Sequence, residues 1–255
     1  MTDLIDKNFH LHATKIPRQT ERMKVHESQN LAFVDSGLSC DTFNIIHLFN
    51  GSRLEKKEIQ SAVNYFQSKG FDFCVWISQG NLLPKVQNYL TELSLIQQNA
   101  EAGMVLDLKE YLPIQKNEHK NIRVVNDERS INEFANVIAK NWSPPDQNVI
   151  RYYNQTSWHY LDKKNSIQLF IYYYQDQPVS VVEMFPTDEE TVGLYGFATL
   201  EAFRGMGIGS ALMTFALNKA KELNFQKVIL QASEDGIGIY RKMGFEEITT
   251  YFEFA

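Results

Sequence analysis

Three glycines spaced two apart, behind an arginine, are the residues of this chain best placed to do chemistry. They form Arg204-Gly205-Met206-Gly207-Ile208-Gly209-Ser210, between an apolar run ending at Thr199 and a long amphipathic stretch. A turn of this kind aims several backbone N–H groups and a helix N-terminus at one small volume, which suits a pyrophosphate. Glycine leaves no Cβ in the way and tolerates positive φ. Arg204 adds a cationic fork for phosphate oxygens. Two commoner phosphate motifs fit poorly. A Walker loop needs a Lys after its glycines, and none follows here. The dinucleotide fingerprint, counted from Gly205 and Gly207, meets Ser210 at its third position. The next apolar run, Val228-Ile229-Leu230-Gln231-Ala232, ends on neutral residues where a ribose-binding acid belongs.

A second block lies downstream, Ser233-Glu234-Asp235-Gly236-Ile237-Gly238-Ile239-Tyr240-Arg241-Lys242-Met243-Gly244-Phe245. With Arg204 to Gly209 it closely resembles the GCN5-related N-acetyltransferase (GNAT) superfamily. The first block matches the Arg/Gln-x-x-Gly-x-Gly/Ala signature of that family. The second is similar to its later helix, which carries a Tyr and ends in Gly-Phe. The match covers about the last 135 residues, in order and spacing, and resembles bacterial members with an extra N-terminal domain. Departures stand at Ser233, often Asn in the family, at Gly236, often Ala, at Thr199, usually Val, and at Glu201, frequently Pro.

The resemblance implies direct transfer of an acetyl group from acetyl-CoA to a primary amine of a small molecule or peptide in a ternary complex. It implies that the pantetheine arm runs along Phe197, Ala198 and Thr199, and that the pyrophosphate sits on Arg204, Gly205, Met206, Gly207, Ile208, Gly209 and Ser210. Ser233 stands at a further cofactor-binding position, and Tyr240 is the candidate acid that protonates the leaving thiolate. An ammonium must lose a proton before it attacks. Candidate bases are Glu183, Glu234, His159 or a chain of water. Glu183 stands out among Val181, Val182, Met184 and Phe185, and an alternating strand turns it either to the interior or to solvent. His159, beside Trp158 and Tyr160, lines a pocket or serves the structure. His10 and His12 form a His-x-His with no acidic or third His partner nearby in sequence, so no metal is expected.

These residues need strands and helices to hold them. The segment Tyr111 to Lys120 is polar and charged between two patterned regions, which divides the chain into an N-terminal α/β accessory domain, 1–115, and a GNAT domain, 120–255. The fold class expected is α/β with a mixed sheet. In the second domain Ile122 to Val125 reads as a strand, and Ser130 caps a helix running to about Lys140. Ile167 to Tyr174 and Val179 to Phe185 flank Gln175-Asp176-Gln177-Pro178 as a hairpin. After Gly207 a helix carries Ile208, Ala211, Leu212, Phe215, Ala216 and Leu223 on one face. A short helix ends at Gly244, and a strand from Ile248 to Phe254 closes the sheet. In the first domain Asn44 to Phe49 and Phe71 to Ile77 read as strands around a helix with Ile59, Ala62, Val63 and Phe66. That order suggests a degenerate GNAT-like repeat. Where a phosphate turn would fall it has Asn50-Gly51-Ser52-Arg53, so no cofactor is expected there. Packing, dimerisation or shaping of an acceptor pocket are the roles left for it.

The 255 residues allow one large domain or two small ones, and 44% hydrophobic with 13% aromatic residues fill a core. A formal charge of −6, from 25 basic against 31 acidic residues, disfavours nucleic acid as a partner. The two cysteines, Cys40 and Cys74, read as reduced core thiols. The first residues show no signal-peptide core and no apolar run is long enough for a membrane span, so a cytoplasmic enzyme without membrane partners is expected. The alternative is a non-catalytic acyl-CoA-binding sensor or interaction module on the same fold. A transferase of longer acyl groups is a third reading.

Overall fold

The computed structural model describes residues 2–114 and 117–255; Gln115 and Lys116, in the expected boundary segment, lie outside the described residues. The chain begins with α1 (Thr2–Arg18), β1 (Lys24–Glu27), β2 (Leu31–Asp35), β3 (Ile45–Leu48), α2 (Lys56–Lys69), β4 (Cys74–Ser78), α3 (Pro84–Glu92) and β5 (Gln97–Asp107). It continues with β6 (Ile122–Val124), α4 (Glu128–Ala139), α5 (Gln147–Gln155), α6 (Ser157–Leu161), β7 (Gln168–Tyr174), β8 (Gln177–Pro186) and β9 (Thr191–Thr199). The last elements are α7 (Ile208–Glu222), β10 (Lys227–Ala232), α8 (Ile237–Lys242) and β11 (Glu246–Phe254). Two compact units result. One gathers 1–104 with 231–242 and 246–255, the other 105–230 with 243–245.

In the first unit, β1, β2 and β3 pair antiparallel, β3 and β4 parallel, and β4 and β11 antiparallel. One face of this sheet carries Ile46, Leu48, Val75, Ile77 and Phe254 under Ile59, Val63 and Phe66 of α2 and Val86 and Leu90 of α3. The stripe Ile59, Ala62, Val63, Phe66 is buried as its spacing predicts, and α2 ends on Gly70 in the left-handed conformation, φ +64°. A second helix, α1, buries Ile5, Phe9, Ala13 and Ile16. There Asp6 accepts hydrogen bonds from Tyr251 Oη at 2.7 Å and Ser78 Oγ at 3.0 Å. His10 lies 3.2 Å from Glu27. Cys40 and Cys74 are both buried, and neither forms a disulfide.

The second unit orders its strands β10-β9-β8-β7-β6, with β10 and β9 parallel and the rest antiparallel. The hairpin between β7 and β8 turns on Gln175 and Asp176, both at positive φ (49° and 61°), the backbone that a tight two-residue hairpin requires. The start of α4 differs from the expected cap. Asp127 is the N-cap, and its side chain accepts from the Ser130 N–H at 2.7 Å, while Ser130 Oγ accepts from the Asp127 N–H at 3.2 Å. Ser130 is thus the third helical residue of a reciprocal capping box, a place usually held by Glu or Gln. α7 buries Met213, Leu217 and Ala220 as well as Ile208, Ala211, Leu212 and Ala216, so its apolar surface is wider than one stripe, while Leu223 is exposed.

Gly51, in the segment aligned with a phosphate turn, has a packing reason to be glycine. Its N–H donates to Asn81 Oδ1 at 2.9 Å, and a Cβ there would lie 2.0 Å from the Asn81 carbonyl oxygen. Backbone cannot yield as a side-chain tip can. Gly51→Ala is therefore expected to destabilise the protein by about 1–3 kcal/mol or more, whereas Gly80→Ala, with nothing within 4 Å of its Cβ, changes stability by less than about 0.5 kcal/mol. Denaturant midpoints of the two variants check this.

Candidate active site

The geometry of the second unit turns on one extra residue in β9. Ser180 pairs with Thr199 and Val181 with Ala198, but Glu183 pairs with Tyr195. Two residues, Gly196 and Phe197, therefore oppose the single Val182. Gly196 has φ +56°, the left-handed bulge position that glycine takes without strain. On the other edge of β9 the parallel register with β10 runs Lys227↔Thr191, Val228↔Val192 and Ile229↔Gly193, and among the described residues no further. Beyond Gly193 six residues of β9 continue toward the glycine turn.

The bulge also sorts the side chains. Glu183, Val181, Tyr195 and Ala198 share the face covered by α4, on which α5 and α6 pack; Ser180, Val182, Phe197 and Thr199 share the face of α7. Ser180 Oγ donates to the Ala198 carbonyl at 2.8 Å and lies 2.8 Å from Thr199 Oγ1, which fixes the end of the strand.

The three glycines of the turn serve two separate needs. Gly205 and Gly207 have φ +76° and +78°, and a Cβ on either would touch nothing within 4 Å. They are there for their backbone conformation. Gly209, inside the first turn of α7, is there for space: a Cβ would lie 3.0 Å from Phe197 Cζ and 3.3 Å from Thr199 Oγ1. Gly207 is the N-cap residue of α7. Among the described residues no side chain caps that first turn and no acidic residue stands in it. The N–H groups of Ile208, Gly209 and Ser210 are among those a helix cannot pair internally, and the helix dipole adds partial positive charge. An anion with several oxygens fits that set of donors. Arg204 is exposed, with Nε donating to the Thr199 carbonyl at 3.1 Å and Nη2 to Asn141 Oδ1 at 3.4 Å. It ties the turn to the end of β9 and to the segment after α4. Met206 is exposed.

Glu183 faces the interior and is 1% exposed. Tyr153 Oη donates to its Oε2 at 3.5 Å. Burial, and then the Glu183 carboxylate, push the phenols of Tyr152, Tyr160 and Tyr195 upward, as they do that of Tyr153. Four tyrosines from α5, α6 and β9 thus surround one acid. His159 is buried on α6, its ring centroid 3.3 Å from that of Trp158, and burial lowers its pKa.

Ser233, Glu234 and Tyr240 belong to the first unit. Ser233 and Glu234 are exposed, and the Ser233 carbonyl accepts from the N–H groups of Gly236 and Ile237, both at 3.0 Å. Tyr240 is buried, and a Cβ on Gly236 would meet its Cε2 at 3.2 Å, which accounts for glycine where the family often has alanine. Its phenol is pushed upward by burial and by Glu101. Glu101, on β5, has no counterpart among the residues chosen from sequence. Burial and the charge of Glu253 raise its carboxyl to about 7.

The model of the Acetyltransferase (GNAT) family matches residues 131–245. No curated protein sequence matches the chain. Among solved structures, a GCN5-related N-acetyltransferase from Kribbella flavida is similar with a TM-score of 0.69 at 14% identity, over 98% of this chain and 93% of that one. One from Sphaerobacter thermophilus gives 0.62 at 13%, over 99% and 90%. A tandem GNAT protein from the clavulanic acid biosynthesis pathway gives 0.60 at 10%, over 92% and 83%. At these identities the likeness establishes the fold, and it runs through the N-terminal as well as the C-terminal part of the chain.

Glu101 makes stability depend on pH. Its ordinary value is 4.5, its folded value about 7. Between those pH values the folded chain holds a proton that the unfolded chain has lost, so stability falls as pH rises through this window. Glu101→Gln is expected to remove that fall and to be more stable than the parent at pH 8, by on the order of 3 kcal/mol. Parallel denaturation series at pH 5 and pH 8 read the difference.

Proposed function

From a chain whose segment 131–245 belongs to the GNAT acetyltransferase family, we propose an N-acetyltransferase that moves the acetyl group of acetyl-CoA to a primary amine of a small molecule or peptide. The observation that carries the reading is the glycine turn: two left-handed glycines, a third that lets α7 meet β9, and an uncapped helix N-terminus in one place. In this reading the turn from Arg204 to Ser210 takes the pyrophosphate. The end of β9, Phe197 to Thr199, takes the pantetheine arm, with Ser233 as a further contact. The functional division is an acetyl-transfer domain, 120–255, and an accessory domain, 1–115, in the cytoplasm.

The chemistry asks for two proton movements. The ammonium loses a proton to a base, for which Glu183 is the candidate, and the amine nitrogen then attacks the thioester carbonyl. As the C–N bond forms and the C–S bond breaks, the thiolate takes a proton from Tyr240. Burial and Glu101 push the Tyr240 phenol upward, so it carries its proton at neutral pH. Backbone N–H groups at the end of β9 would stabilise charge developing on the thioester oxygen.

Two substitutions separate binding from turnover. Gly207→Asp places a carboxylate and a strained φ in the phosphate turn, and isothermal titration is expected to show loss of acetyl-CoA binding; unchanged affinity would sink the assignment. Tyr240→Phe is expected to lower kcat by about 10²-fold or more with the affinity for acetyl-CoA retained. Thiol release, followed across a panel of primary amines, reads both the activity and the acceptor. Tight acetyl-CoA binding with no thiol release from any amine would favour a non-catalytic acyl-CoA sensor.

A further inference from the structure

We propose that the hydroxyl of Tyr153 is the relay through which the acceptor amine delivers its proton to Glu183. The inference rests on the acetyl-transfer reading and extends it to a residue on α5 that no motif contains. Glu183, at 1% exposure, is closed to direct contact by an incoming ammonium. A base in that position works only through a neighbour that reaches both it and the reacting groups.

Tyr153, itself 6% exposed, is the neighbour whose hydroxyl meets Glu183. Its Oη is 3.5 Å from Glu183 Oε2, and 3.8 Å from where a Cβ on Gly196 would stand. The same hydroxyl thus lies against the β9 bulge and against the buried acid. Proton transfer requires the 3.5 Å link to Glu183 to tighten, as catalytic hydrogen bonds do when substrate binds. Gly196 leaves the bulge open in front of Tyr153; any side chain there would meet Ile138 Cδ1 at 3.2 Å and stand before the hydroxyl.

The surroundings suit a relay. The groups facing Glu183 are Tyr152 and Tyr153 from α5, Tyr160 from α6 and Tyr195 from β9. From α4 come the apolar Phe134, against the Tyr153 ring, and Ile138. His159, on α6, is acted on by Asp162. Burial and Glu183 hold the phenols protonated. Tyr153 therefore passes a proton on by exchange and does not act as a phenolate. The amine nitrogen gives a proton to Tyr153 Oη as Tyr153 gives its own to Glu183 Oε2. The C–N bond forms, the C–S bond breaks, and the thiolate takes its proton from Tyr240. Glu183 returns its proton along the same path after product leaves.

Tyr153→Phe keeps the ring against Phe134, Tyr152 and Tyr160 and removes the hydroxyl with its hydrogen bonds to Glu183 and Tyr160. Acetyl-CoA and the best primary amine of the panel serve as probes. The expected result is a kcat lowered by about 10²-fold or more, with acetyl-CoA affinity unchanged and the chain still folded. The rising limb of kcat/KM against pH should move up to the pKa of the free amine, because only amine already neutral can react. Glu183→Gln should shift the limb in the same way, and the double variant should be no slower than the slower single one, since the two residues act as a unit. A wild-type profile in either single variant, or multiplying losses in the double one, overturns the relay while leaving the acetyltransferase standing. If Tyr153→Phe fails to fold, the Glu183→Gln profile alone decides. If the unaltered protein releases no thiol from any amine, the acetyl-transfer reading falls and the relay falls with it.

Discussion

A strand that carries one residue too many for its partner cannot stay flat. In β9 the surplus falls at Gly196 and Phe197 opposite Val182, and much of the second unit depends on it. The bulge bends the strand and increases its twist, and the parallel ladder with β10 closes at Gly193. The same offset puts Glu183 and Tyr195 on one face and Phe197 and Thr199 on the other, where Gly209 of α7 packs against them. Gly196 is the residue that permits it, at φ +56° and 3.2 Å from Ile138 were it to carry a Cβ.

Polar groups around this strand end are held from several directions. Ser180 holds the Ala198 carbonyl and meets the Thr199 hydroxyl; Arg204 holds the Thr199 carbonyl and reaches Asn141. Each contact fixes a group whose displacement by an ångström would matter to any reaction between two bound molecules. The N–H groups at the start of α7, by contrast, have no acidic residue in the first turn to compete for them. The region is rigid where it aligns and open where an anion would bind.

Local signals carried much of this into the sequence. The glycine turn, the stripe of α2 ending at Gly70, and the hairpin around Gln175 and Asp176 are each written within a few residues, and each is found where its spacing puts it. Where two local signals overlapped the choice went astray: Asp127 and Ser130 are both good capping residues, and the reciprocal bond between them makes Asp127 the cap. α1 has its apolar residues at 5, 9, 13 and 16, but Lys, His and Thr between them and Pro17 near its end blur the stripe. The surroundings of Glu183 were not legible at all. Its four tyrosines come from three separate elements, and only packing unites them. The same holds for Glu101 and Glu253, 152 positions apart in the chain (253 minus 101), and for the Asn81 carbonyl that explains Gly51.

The surplus residue of β9 has a counting consequence. Side chains along a strand alternate, and an inserted residue inverts the facing of everything after it unless the ladder absorbs it as a bulge, as here. Tyr195 and Ala198 share a face although three positions separate them, which a regular strand forbids. Removing Gly196 would restore regular pairing and leave Phe197 and Thr199 on the face of α7, but the strand would lose the bend and extra twist of the bulge. Between Tyr195 and Ala198 the chain takes three steps where a flat ladder takes two, and that surplus step is as much a part of the site as any side chain in it.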